Sequence, residues 1–202
     1  SQGYLALRDY EQCDYYSELA GKNYADMFPD EKHFYLNNRG NSYYYRGDYS
    51  TAIGYFRKVV ELVKDYPDMS WALNLSYLNL SDCFLQLNKT DSVVKYLELC
   101  QPFFEELGST TALYYIDTQK IELALQCKDF AEARRLLAMR KASPEIDADM
   151  IHIRNKYLQQ FYEETGNYRQ AYDYLKENKR LDDSIRNERI RMRTADLTLR
   201  YQ

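Results

Sequence analysis

Acid–base, nucleophilic or metal chemistry would have to come from few side chains in this sequence of 202 residues, which holds two histidines and four cysteines. His33 and His152 stand far apart, and Cys13, Cys83, Cys100 and Cys127 form no Cys-x-x-Cys pair, whereas a structural zinc site needs clustered thiolates or imidazoles. The spacing predicts no metal site. It reads the thiols as small buried residues on helix faces, and the count leaves a disulfide and the compartment open. No glycine-rich phosphate loop and no Gly-x-Ser-x-Gly turn occur. Glu105-Glu106 and Glu163-Glu164 read as solvated helix faces rather than acid–base pairs, so a non-enzymatic chain without a cofactor is expected. What remains is suited to recognition: amides, and 22 tyrosines against 1 tryptophan and 8 phenylalanines. One stretch concentrates them, NRGNSYYYRGDYSTAIGYF over residues 38–56, and it contains Arg46-Gly47-Asp48, the tripeptide that integrins bind.

The bulk composition narrows the class. Apolar residues at 45% and charged residues at 29% are ordinary for a globular chain. Only 4 Pro and 7 Gly point to helices joined by short turns. The net charge of −4 and pI near 5.3 supply no basic field to hold nucleic acid. Tyrosine pairs an apolar ring with a hydroxyl that tolerates a wet edge, which suits thin helical layers. No apolar run approaches the roughly 18 to 20 residues of a membrane span. No leader precedes Gly3 and no initiator Met opens the chain, so a piece of a longer protein is expected.

The tyrosine-rich stretch also supplies a period. Gly47-Asp48-Tyr49 with Ala52 and Phe56 is echoed by Gly166-Asn167-Tyr168 with Ala171 and Leu175, and by Lys128-Asp129-Phe130 with Ala133 and Leu137. A weaker copy is Asn88-Lys89-Thr90 with Val93 and Leu97, and a step back lands on Arg8-Asp9-Tyr10 with Cys13. The turns recur at intervals of 38 to 41 residues, so about five units are expected, the first without its leading helix. In each unit a helix ends in a polar turn where a left-handed conformation is cheap for Gly or Asn. A small residue then marks the closest approach of two helices. The Arg-Gly-Asp tripeptide is accordingly read as an interhelical turn.

YLNNRGNSYYYRGDYSTAIGYF resembles a tetratricopeptide repeat. Leu36 stands at the motif's Trp, Gly40 at its first Gly, Tyr43 at its Tyr, and Ala52 and Phe56 at its Ala and Phe, while Arg39 replaces the usual Leu. The resemblance implies an all-α, right-handed superhelical solenoid over residues 1–180, followed by a capping or connector helix over 181–202. It also implies a protein or peptide ligand on the concave face, which motif positions 2, 5, 9, 12 and 13 line. Carried over, those positions give Asn37, Asn41, Tyr44 and Tyr45 in one unit, and Asp82 and Gln86, with Asn79 beside them, in the next. The following units give Glu122, with Gln119 adjacent, and then Lys156 and Gln160. Amides can bond both groups of an extended backbone, and Tyr adds rigid contact area. The row lacks the cluster of Lys and Arg needed by the family's clamp for a chaperone carboxylate.

Beyond the last unit, Leu181, Ile185, Glu188, Met192, Ala195, Leu199 and Gln202 follow steps of four and three, an imperfect coiled-coil row. Residues 176–202 carry eight Lys or Arg against five Asp or Glu. The segment with Ala171-Tyr172, Leu175, Leu181, Asp183-Ser184-Ile185, Asn187-Glu188, Ala195-Asp196-Leu197 and Tyr201 is similar to the end of the repeat region in Bacteroidetes sensor proteins. That resemblance implies a periplasmic sensory part of a signal-transduction protein, with a membrane span and a histidine kinase or DNA-binding output following it. Asp91-Ser92-Val93 and Asp183-Ser184-Ile185 fit that phylum's O-glycosylation pattern. A free-standing adaptor is the alternative, and a carbohydrate or envelope-assembly binder the third reading. Weak or no self-association is expected of the isolated fragment.

Overall fold

A computed structural model of the chain describes residues 8–139 and 145–200. Among these are nine α-helices and no strand. The helices are α1 (Tyr10–Gly21), α2 (Pro29–Tyr45), α3 (Tyr49–Val63), α4 (Ser70–Gln86), α5 (Thr90–Leu107), α6 (Thr110–Gln126), α7 (Phe130–Met139), α8 (Ala148–Glu164) and α9 (Tyr168–Arg200). They form two compact units, residues 1–109 and 110–202. Within each, successive helices pair as antiparallel hairpins, which is the repeat architecture expected of an all-α solenoid. The leading helices α2, α4, α6 and α8 are each 17 residues long. The partners α3, α5, α7 and α9 vary from 10 to 33.

The turns arise where the sequence places them. Gly47, Asn88, Lys128 and Gly166 all have positive φ, and so does Arg8 at the step back. At each of the four interhelical turns the left-handed residue and its successor donate backbone N–H groups to carbonyls three and five residues back, for example Gly47 to Tyr44 and Asp48 to Tyr43. This closes the carbonyl end of the leading helix. The successor then opens the next helix: Asp48, Asp129 and Asn167 accept from the N–H three residues on, as Asp9 does before α1. Lys89 occupies that position before α5 and makes no such cap.

Packing follows from the small residues. Ala52, Ala133 and Ala171 are buried, with Val93 in the same role. In the first unit Ala52, Ile53 and Phe56 of α3 pack against Leu80 and Cys83 of α4. Leu36 joins Val59, Val63 and Ala72 in an adjoining cluster. In the second unit Ile121, Ala124 and Leu125 meet Ala133 and Leu136 of α7 and Tyr157 and Phe161 of α8. Gly40 lies close against Phe56, where a Cβ would stand 2.6 Å from the ring.

The last helix, α9, has a hydrogen-bonded backbone that is continuous from Tyr168 to Arg200 and so passes through residue 181. Of the coiled-coil row on α9, Leu181, Ile185 and Met192 are half-buried, while Glu188 and Ala195 are exposed. The side chains of Leu197, Leu199, Tyr201 and Gln202 lie outside the described residues. Three cysteines are buried as expected, but Cys127 is exposed at the turn after α6.

Gly40→Ala is expected to destabilise by about 1–3 kcal/mol through overpacking against Phe56. Gly54→Ala, at an exposed helical site with open space around it, is expected to stabilise by about 0.5–1 kcal/mol. Urea unfolding of the two variants should show opposite signs. In the same assay, Lys89→Asp should raise stability by about 0.5–2 kcal/mol by supplying the missing cap.

Candidate functional site

The leading helices carry the polar row. On α2 and α4 it begins with paired amides: Asn79 Nδ2 donates to Asn37 Oδ1 at 3.0 Å. Asn37 is half-buried and Asn79 nearly enclosed, so these two amides fix the register of α2 against α4. One turn along α2, Asn41 is half-buried. Tyr44 packs its ring edge-on against Tyr49, 5.4 Å between centroids, and Tyr45 is exposed beside it. On α4, Asp82 is buried and accepts from Gln86 Nε2 at 3.4 Å.

The second unit spends its row internally. Tyr157 Oη donates a short hydrogen bond to Glu122 Oε2, and Gln126 Nε2 reaches Glu122 Oε1. One turn before Tyr157, Arg154 is enclosed: its Nε donates to Thr118 Oγ1 and its Nη2 to the Tyr114 carbonyl, both at 3.0 Å. Its guanidinium lies 3.5 Å from the Tyr114 ring centroid. Burial raises the Tyr114 hydroxyl pKa, and the nearby Arg154 charge opposes that shift. Gln119 is 2% exposed. Lys156 is exposed, and Gln160 is half-buried with its amide bonded to Glu164 at 2.7 Å. Of the row predicted from sequence, Asn79, Asp82, Gln119 and Glu122 therefore lie inside the structure. Asn37, Asn41, Tyr44, Tyr45, Gln86, Lys156 and Gln160 retain accessible surface. Arg154 and Tyr157 were not anticipated. Their signal was a cation on the buried stripe of α8 that also carries Phe161.

Residues 33–66 match the family model described as tetratricopeptide repeat. The chain resembles the crystal structure of BtubC (BKLC) from P. vanneervenii, with 17% identity and a TM-score of 0.60, covering 88% of this chain and 74% of that one. This likeness concerns the fold alone. No curated protein matches the sequence.

The departure from the repeat motif at Arg39 has a structural explanation. Arg39 Nη1 pairs with Asp14 Oδ1 of α1 at 2.9 Å, and its guanidinium lies over the rings of Tyr43 and Tyr55, which stack at 5.5 Å. Arg46 takes the other Asp14 oxygen at 2.7 Å and donates to Ser42 Oγ. In the Arg-Gly-Asp tripeptide, Arg46 is thus tied to α1, Gly47 makes the left-handed turn and Asp48 caps α3. Burial lowers the pKa of His33 against the opposing pull of Asp30, and its Nε2 finds no partner. In the second unit, His152 Nε2 stands 3.1 Å from Asp182. Among the described residues no group of three or more His, Cys, Asp or Glu is placed to hold a metal, and no helix is long and apolar enough to cross a membrane.

Tyr157→Phe leaves the buried Glu122 carboxylate without its phenol donor. It should cost about 1–3 kcal/mol in urea unfolding. Gln126→Ala, on the exposed side of the same carboxylate, should change stability by less than about 0.5 kcal/mol.

Proposed function

We propose that the chain binds an extended segment of a partner protein along the accessible part of the row on α2, within the first unit, as the extracytoplasmic sensory part of a signal-transduction protein. The observation that carries the binding half is the state of the amides on α2. Asn37 is already oriented by Asn79, and Asn41 one turn on offers both a donor and an acceptor at a half-buried site. An extended backbone presents N–H and C=O groups that such amides can bond. Tyr45, exposed at the end of the same helix, adds contact area. The signalling half is supported by α9, which runs 33 residues without a break and carries the half-buried row Leu181, Ile185 and Met192.

Peptides selected from a random library against the chain provide the test of binding. Asn41→Ala should weaken them by roughly 1 kcal/mol, about fivefold in Kd, with melting unchanged. Arg57→Ala on α3 should have no effect. Equal affinity of both variants would remove the site from α2. For the signalling half, the reading frame beyond Gln202 decides: a membrane span followed by a kinase or DNA-binding domain supports it. A stop codon there would leave the free-standing adaptor.

A further inference from the structure

The last hairpin leaves open a surface that its counterpart in the first unit keeps covered. Superposing the left-handed glycines Gly47 and Gly166 in sequence brings Tyr49, Ala52, Ile53 and Phe56 of α3 onto Tyr168, Ala171, Tyr172 and Leu175 of α9. The two alanines are equally buried, because each faces the leading helix of its own hairpin. The larger residues diverge. Ile53 and Phe56 are 8% and 1% exposed, since α4 lays Leu80 and Cys83 against them with Tyr49 packed at the edge. Tyr172 and Leu175 are 60% and 48% exposed, and Tyr168 is more exposed still.

One turn further the stripe changes character. Val60 and Val63 of α3 correspond to Lys179 and Asp182 of α9, so the open apolar surface is two turns long and ends in charge. Asp182 is taken by His152 and Lys176 by Asp173. Arg169 and Lys179, at the two ends of the stripe, make no ion pair among the described residues.

We infer that Tyr168, Tyr172 and Leu175 seat an amphipathic helix of a partner protein that presents leucine-class residues at i and i+3 with carboxylates toward Arg169 and Lys179. The apolar requirement follows from the precedent of Leu80 and Cys83 on α4. The acidic requirement follows from the charge at each end of the stripe, which a helix as apolar as the start of α4 would leave desolvated and unpaired. The helix that carries the stripe does not itself fold back to cover it. In the first unit α4 reaches its place directly after α3, through the single turn Pro67–Met69. By contrast, α9 runs on to Arg200, roughly 38 Å past Leu175 at about 1.5 Å per residue. A second copy fits poorly, because facing stripes would bring two cationic flanks together.

The probe is a fluorescein-labelled peptide with the sequence of residues 70–86 carrying Ala72→Glu, Leu73→Glu and Cys83→Leu, titrated with the 202-residue chain and followed by anisotropy. We expect saturation with a Kd below about 100 µM, weakened about tenfold by Leu175→Asp and about threefold by Lys179→Glu. Val94→Asp, at an exposed apolar site on α5, and Asn41→Ala should leave it unchanged, which separates this seat from the row on the leading helices. Thermal melts should show all four variants folded, since each site is exposed or half-buried. Absence of binding at about 1 mM, or binding indifferent to Leu175→Asp, overturns the proposal. So does concentration-dependent self-association of the chain that Leu175→Asp abolishes, because the occupant would then be a second copy.

Discussion

The hairpins depend on a two-residue junction in which a left-handed residue closes one helix and the side chain after it opens the next. The left-handed position turns two N–H groups back onto carbonyls that would otherwise be orphaned, and the Asp or Asn that follows accepts from the new helix's first turn. Because both tasks are done by backbone and one short side chain, the junction fixes the angle between helices without a loop. Ala52, Ala133 and Ala171, each four residues after an Asp or Asn cap, are thereby delivered to the line where the helices touch. A larger residue there would open the hairpin and separate the clusters on either side of it.

The cost of this economy shows where the junction departs from glycine. Asn88 and Lys128 hold positive φ with a side chain attached, a conformation that costs about 1–2 kcal/mol for most residues and least for Asn. At Lys128 the ammonium group pairs with Glu164 at 2.6 Å. That pair is largely exposed, so it offsets little of the strain. The burden is instead carried by the apolar cluster around Ala133 and Leu136.

The period was legible because the junction is local: Gly47, Asn88, Lys128 and Gly166 could be found by type and spacing, and each turned out left-handed. Intervals of 38 to 41 residues resolve into uniform leading helices of 17 residues with partners of varying length. Depth was not legible. Helical spacing placed Asn79, Asp82, Gln119 and Glu122 on the same face as Asn41, but only the packing of neighbouring helices determines which of them still meet water. The Arg154 and Tyr157 network was hidden for the same reason, since a cation on a buried stripe is recognisable only once its acceptors across the helix pair are known.

The length of α9 has a mechanical consequence. Its ties to α8 include the hydrogen bond that Asn178 Nδ2 donates to the His152 carbonyl and the pairing of His152 Nε2 with Asp182, near the start of α8 at Ala148, and the helix continues well past them. The 18 residues from Asp182 to Arg200 make an arm of roughly 27 Å. A tilt of about 10° at the last hairpin would swing the far end by about 5 Å, more than the length of a hydrogen bond. Displacements too small to disturb packing at the pivot are thus amplified at the tip, and the i,i+3 ion pairs Arg186–Asp183 and Arg191–Glu188 along the arm help it to move as one stiff body.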